Sequence, residues 1–299
     1  MKKILFTLCV VLTTTALLKA QTSSTFSPTI KMKGCIQSRF DMSMTDSVGV
    51  DNKFNVNPVQ SNFFVRRLEL RADIALNDHW TGVIRVQAPQ FKSSPGKAIE
   101  LAYFQYKYND KLMFRGGQFK MPFELDELTS HEDLRMVERG TTNSILNSNY
   151  WVSYQPGVMV LGTFMKDKTP LNYYLGVFNG SDRSVSTDMN SGKEMVGRLE
   201  FKPVKGVQIG ADYSMNKIDA DNSASAMGAD LSIIQDLNDN VKLIVEGEYV
   251  SATNINSFVA SVDTAKQTSE YAMGGYFGQV LLRIKTDCKF FSTFEVGGK

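Results

Sequence analysis

Residues 64–88 read FVRRLELRADIALNDHWTGVIRVQA. Before the Asn77-Asp78-His79 triplet, Phe64, Leu68, Leu70, Ala72, Ile74 and Leu76 share one parity, and Arg67, Glu69, Arg71 and Asp73 share the other. After it, Trp80 opens a stretch in which Gly82, Ile84, Val86 and Ala88 oppose Arg85 and Gln87. Side chains alternate faces along an extended strand, so each half has one apolar face and one polar face. The triplet is a tight polar turn between them. Arg66 breaks the pattern by falling on the apolar parity, where it either snorkels to an interface or marks a bulge.

The first of these strands is too long for an ordinary soluble sheet, whose strands run to about 5–6 residues. It suits a tilted strand that crosses a bilayer, which needs roughly 9–11. The pattern recurs. In residues 30–44, Ile30, Met32, Gly34, Ile36, Phe40, Met42 and Met44 oppose Lys31, Lys33, Gln37, Arg39 and Asp41. Further strands are predicted near 98–108 and 112–120, 157–166 and 171–178, 194–201 and 207–216, 226–234 and 241–250, and 269–284 and 287–296. Short turns join the members of these pairs. Longer polar connections at 45–61, 89–96, 121–155, 179–193, 217–225 and 251–268 separate one pair from the next. Outer-membrane barrels have this asymmetry, with short periplasmic turns and long outer loops. Phe40, Phe64, Trp80, Tyr106, Tyr108, Tyr173, Tyr174, Tyr213 and Tyr249 lie near predicted strand ends and suggest aromatic girdles.

The helical period is hard to find beyond the N-terminus, and no later apolar run is long enough for a membrane helix. In lipid every backbone donor and acceptor must be paired within the protein, which only helices and closed barrels achieve. The expected fold is therefore all-β, a transmembrane antiparallel β-barrel with a wet lumen. A secreted soluble β-protein is the reading that full-length strands with a continuous apolar parity argue against.

The N-terminus has the layout of a secretory signal peptide: Lys2 and Lys3, an apolar run from Ile4 to Leu18, and Ala20 at the cleavage point. That predicts a signal over 1–20 and a barrel over 21–299 in the outer membrane of a Gram-negative envelope. Without Lys2, Lys3 and Lys19 the 33 basic residues become 30 against 31 acidic ones, a net charge of −1. No basic field or stripe points to nucleic acid. Cys35 and Cys288 remain after cleavage and form no visible disulfide framework.

A more specific signal lies in residues 112–130, LMFRGGQFKMPFELDELTS, followed by Met136-Val-Glu-Arg139. This resembles the phosphate-selective porin O and P family, in which a strand ends in a Gly-Gln-Phe-Lys-x-Pro-Phe-like motif before an acidic, Thr-Ser-containing segment and a Glu-Arg pair. Arg66-Arg67-Leu68-Glu69-Leu70 and Leu175-Gly-Val-Phe-Asn-Gly180 are similar to that family too, and the resemblance spans roughly residues 28–284. It implies a barrel of about 16 strands, a homotrimer, an inward-folded loop that narrows the pore, and passage of small anions such as phosphate along basic lumen residues. Here the alternation yields about 13 strands, an odd number for a bacterial barrel. The chain also ends at Val296-Gly-Gly-Lys299 with no closing aromatic strand, so C-terminal strands are expected to be missing.

A pore needs a hydrated constriction and charges that bias entry, not a catalytic group. By parity, Lys31, Lys33, Arg39, Arg67, Arg71, Arg85, Arg115 and Lys120 are candidate pore-lining, anion-contacting residues. Guanidinium and ammonium groups can replace the hydration of a phosphate or carboxylate. Glu69 and Asp73 share the face of Arg67 and Arg71, so ion pairing that neutralises the field is the competing expectation. Residues 121–150, after the weak Gly116-Gly117 step, are the candidate constriction, with Glu124, Glu127, Ser130, Arg135, Glu138 and Arg139 as its polar members. An ordinary extracellular loop is the alternative. The histidines, His79 and His131, lack metal-ligand spacing or a triad arrangement. No enzyme, metal or cofactor is expected. The leading expectation is a porin for passive diffusion of small hydrophilic solutes, anion-leaning. The rival is a barrel with a plugged lumen whose loops bind a surface polymer or partner.

Overall fold

The computed structural model describes residues 28–51, 53–136, 138–181, 192–262, 265–289 and 292–299. The expected signal peptide lies outside these residues. A single antiparallel sheet of thirteen strands follows chain order throughout: β1 (Thr29–Met42), β2 (Ser61–Ala75), β3 (Trp80–Gln87), β4 (Ile99–Asn109), β5 (Leu112–Lys120), β6 (Tyr154–Phe164), β7 (Leu171–Phe178), β8 (Glu194–Phe201), β9 (Val207–Lys217), β10 (Ser223–Asp236), β11 (Val241–Thr253), β12 (Ala272–Lys285) and β13 (Thr293–Gly298). Every predicted strand has a counterpart, although the last, predicted near 287–296, begins only at Thr293. No described helix is long and apolar enough to cross a membrane. Among the described residues no ladder joins β1 to β13.

Alternation sets the two faces. On β2, Arg67 and Glu69 are buried while Leu70 is half exposed; on β8 to β11, Arg198, Asp212, Asp230 and Glu248 are buried while Leu199, Tyr213, Leu231 and Tyr249 are exposed. Apolar side chains out and polar ones in is the pattern of a wall between lipid and a polar interior. Trp80 packs on Tyr106 at 4.9 Å and Phe164 on Tyr173 at 5.3 Å, all at the short-turn ends of their strands, as a girdle requires.

Four expectations need correction. The first is the parity of Phe64: the ladder passes from Gln37↔Arg67 to Ser38↔Val65, so Arg66 marks a bulge, one of its two expected readings. The bulge reverses parity upstream: Phe63 and Val65 are exposed, and Phe64 turns inward. Tyr174 also points inward and its hydroxyl meets Glu200, while Tyr213 sits mid-strand on the outer face, so neither belongs to a girdle. The connection predicted at 217–225 shrinks to residues 218–222, because β9 and β10 pair out to Lys217↔Ser223.

The fourth correction concerns the lumen, which is only partly polar. Phe119, Met121, Phe123, Leu146, Trp151, Val152 and Phe178 form an apolar core with Ala224, Ala226, Val250 and Ala252 of the inner wall. The alanines leave room on β10 and β11 for side chains supplied by residues 121–153. Period-two reading has no means of showing this, because those alanines meet partners about a hundred residues away.

Candidate functional site

Residues 121–153 connect β5 to β6 and contain two short helices, Leu125–Leu128 and Thr141–Ser148. Pro122 lies two residues past the end of β5 and offers no N–H for a ladder. Gly117 within β5 adopts φ +125°, and a Cβ there would lie 2.3 Å from the Ala102 carbonyl oxygen, so only glycine fits.

The segment is fastened to two opposed parts of the wall. On one side Glu138 accepts from Arg39 Nη1 at 2.9 Å, Arg66 Nε at 2.6 Å and Arg67 Nη2 at 3.0 Å. The β2 bulge is what turns Arg66 into this cluster. Burial pushes the Glu138 carboxyl up, but the Arg66 and Arg67 guanidiniums outweigh it and hold the group below the usual carboxylate range. His131 Nδ1 contacts Glu69 of β2. On the other side Trp151, fully buried, donates Nε1–H to the Thr253 carbonyl at 2.8 Å, and the Leu125 backbone N–H donates to Glu248 at 2.9 Å.

Two cavities flank the segment. The first, about 530 Å³, is lined by Arg39, Arg66, Arg67, Lys97, His131 and Arg139, with Glu100, Glu127 and Glu138 among them. The second, about 340 Å³, is lined by Arg71, Arg85, Arg115 and Lys120 with Glu200 as its carboxylate, and by Ser130, Tyr103 and Tyr174. Tyr154 lines the first and Arg85 the second. These two are hydrogen-bonded to each other, with the guanidinium carbon 5.2 Å from the phenol ring centroid.

The parity candidates thus divide. Arg39 and Arg67 reach the first cavity, and Arg71, Arg85, Arg115 and Lys120 the second; Lys31 and Lys33 line neither. Lys33 Nζ lies 3.3 Å from Asp73, which also pairs with Arg71 at 2.7 Å. Arg85 Nε lies 2.9 Å from Glu100 and its Nη1 3.6 Å from Glu69. Arg115 instead donates to the Gln105 side-chain carbonyl at 2.7 and 3.0 Å and lies over Tyr103 at 4.6 Å. Lys120 donates to the carbonyls of Glu127 and Thr129.

The loop candidates divide too. Glu127, Glu138 and Arg139 line the first cavity and Ser130 the second. Arg139 Nη2 donates to the Thr129 carbonyl at 2.7 Å, and its Nε lies 3.6 Å from Glu127. Burial pushes Glu127 up, but Lys120 and Arg139 hold it below the ordinary carboxylate range. Arg135 lines neither cavity. Glu124 is fully buried, bound by Asn143, and lies outside both; burial pushes its carboxyl up.

Sequence reasoning missed several members. Arg66 was misplaced by the bulge, and Lys97 and Glu100 lie at or before the irregular start of β4. Arg198 was legible: on β8, Glu194, Arg198 and Glu200 oppose Met195, Gly197, Leu199 and Phe201. No metal-ligand spacing exists in the sequence, yet the fold assembles two groups with ligand-like geometry, Glu69 with Glu100 and His131, and Asp212 with Asp230 and Glu248.

Among solved structures the chain is similar to OmpT of Vibrio cholerae, an outer membrane protein in trimer form, at 12% identity and TM-score 0.46, covering 91% of this chain and 89% of that one. It is also similar to a loop L8 deletion mutant of the same protein at 13% identity and TM-score 0.42, covering 91% and 94%. OmpF of Salmonella typhi, in complex with daunomycin, follows at 11% identity and TM-score 0.41, covering 88% and 87%. At these scores the likenesses add nothing to the reading of the site. No curated protein matches significantly. The family model for phosphate-selective porin O and P matches residues 38–291, and the chain therefore belongs to that family of outer-membrane porins.

Proposed function

We propose that the chain is an anion-leaning diffusion pore for small hydrophilic solutes, phosphate among them, with residues 121–153 as its constriction. The observation that carries this reading is the second cavity, where Arg115 and Lys120 join Arg71 and Arg85, themselves paired with Asp73 and Glu100, and Glu200 is the lining carboxylate. Arg115 and Lys120 spend their donors on neutral oxygens rather than carboxylates. The Arg115 charge therefore stays available to an anion that sheds part of its hydration, whereas Lys120 already acts on Glu127. The first cavity, by contrast, interleaves its five cations with Glu100, Glu127 and Glu138, so more of its positive charge is already paired. Export by residues 1–20, insertion as a homotrimer and contact with outer-membrane lipid complete the proposal.

The test is reversal potential across a salt gradient in a planar bilayer. The wild-type pore should favour chloride or phosphate over potassium. Arg115→Gln should move the reversal potential toward zero, with the single-channel current largely kept. An unchanged potential removes Arg115 from the selectivity filter. A folded barrel that carries no current would favour the plugged, binding-only reading, which the apolar packing of Phe123, Leu146 and Trp151 inside the wall supports.

A further inference from the structure

Away from both cavities, three adjacent strands place carboxylates side by side on the inner wall. Asp230 of β10 is directly opposite Glu248 of β11, a pairing that like charges make unfavourable. Asp212 of β9 lies one strand further on, and the three groups each offer an oxygen within 4.8 Å of the others. The side chains of Asp212 and Asp230 are fully buried.

Their only cation in direct contact among the described residues is Arg198, whose Nη1 meets Oδ2 of Asp212 at 2.5 Å and Oδ2 of Asp230 at 2.6 Å. Its Nε is taken by Glu200 at 3.0 Å. One guanidinium thus serves three carboxylates. The remaining oxygens, Asp212 Oδ1 and Asp230 Oδ1, have no hydrogen-bond partner. Among the described residues Glu248 receives only the backbone N–H groups of Leu125 and Asp126, at 2.9 and 3.5 Å.

An independent group arrives from the loop. Glu124 is fully buried, its Oε2 is held by Asn143, and its Oε1 has no partner. The next residue, Leu125, donates its backbone N–H to Glu248 at 2.9 Å, which sets Glu124 beside the cluster. Its acidic neighbours are already served, Asp126 by Lys299 at 2.9 Å and Glu127 by Arg139 at 3.6 Å. Among the described residues Glu124 has no such ion pair.

Buried carboxylates with too few cations are costly unless a proton or a metal ion neutralises them. A set made only of carboxylate oxygens, with no nitrogen or sulfur, suits a hard ion that takes many oxygens at flexible geometry. We infer that Asp212, Asp230 and Glu248, closed over by Glu124, bind one divalent cation of the calcium class, which staples residues 121–153 to the wall. Arg198 keeps the Oδ2 side of the two aspartates and leaves Oδ1 to the ion. The inference is independent of which ions the pore prefers.

Full-length protein refolded in detergent, free of lipopolysaccharide and stripped with chelator, is titrated with CaCl2 by calorimetry. Hydrogen exchange of residues 121–153 is followed in parallel. The expected result is one Ca²⁺ per chain, exchange in that segment at least tenfold slower with Ca²⁺ than with chelator, and at least tenfold weaker binding in Asp230→Asn and Glu248→Gln. If either variant fails to refold, Glu124→Gln, outside the sheet, makes the same comparison. Absence of Ca²⁺ binding by folded wild type would overturn the site in favour of shared protons. Binding undiminished in the variants, or exchange indifferent to Ca²⁺, would overturn it as well.

Discussion

Glu138 shows how one loop residue sets the charge of a cavity. It draws Arg39, Arg66 and Arg67 together, and it can do so because the bulge frees Arg66 from the ladder. Glu138→Gln should loosen residues 121–153, seen as faster tryptic cleavage at Arg135 or Arg139. It should also shift the reversal potential further toward anions, because three guanidiniums lose their carboxylate. The side chain is about a third exposed, so the cost in stability is modest, about 1 kcal/mol. The pH dependence has a definite sign. The folded carboxyl titrates below its unfolded value, so its contribution is fully present above that unfolded value and is lost as pH falls through the lower, folded one. Protection of the segment's amides from hydrogen exchange should therefore persist at mildly acidic pH and fail only in stronger acid. The Gln variant should lack that acid-dependent step. None of this was readable from residue 138 alone, since its partners lie 71 to 99 positions away.

At the level of elements, strands were the legible part. Alternation over residues 30–44, 64–76 and 80–88 reports the faces of β1, β2 and β3 because successive side chains point opposite ways whatever the rest of the chain does. It failed where the local rule is broken: at the Arg66 bulge, and between β9 and β10, where polar residues 217–225 look like loop but pair almost to the turn. The strand leading into residues 121–153 carries its own test. Gly117→Ala places a Cβ against the Ala102 carbonyl at a φ that L-residues avoid, and should cost about 1–3 kcal/mol. A lowered urea midpoint for barrel unfolding with an unchanged slope would register it. Full stability in the alanine variant would show that β5 can shift its backbone there.

For the whole molecule, the question is what fills the space the sheet curls around. Trp151, Leu146 and Phe123 pack against a wall whose inner alanines make room for them. Trp151→Ala should cost about 3–5 kcal/mol of packing, since it empties a buried site and orphans the Thr253 carbonyl. The thirteen-strand sheet should survive, with rapid proteolysis confined to residues 121–153 and larger, noisier currents. Loss of the folded, heat-modifiable band would instead make that packing a condition for the barrel itself. The sequence alone determined the all-β class, the strands, their inner and outer faces and the candidate constriction segment, because period-two patterning and turn chemistry are local. Only the tertiary structure decided which lumen charges meet. Arg67 finds Glu138, and Glu248 holds the Leu125 amide, because curvature and register bring β2 and β11 to opposite sides of one loop. Pairings across such distances in the chain leave no periodic trace in the residues that make them.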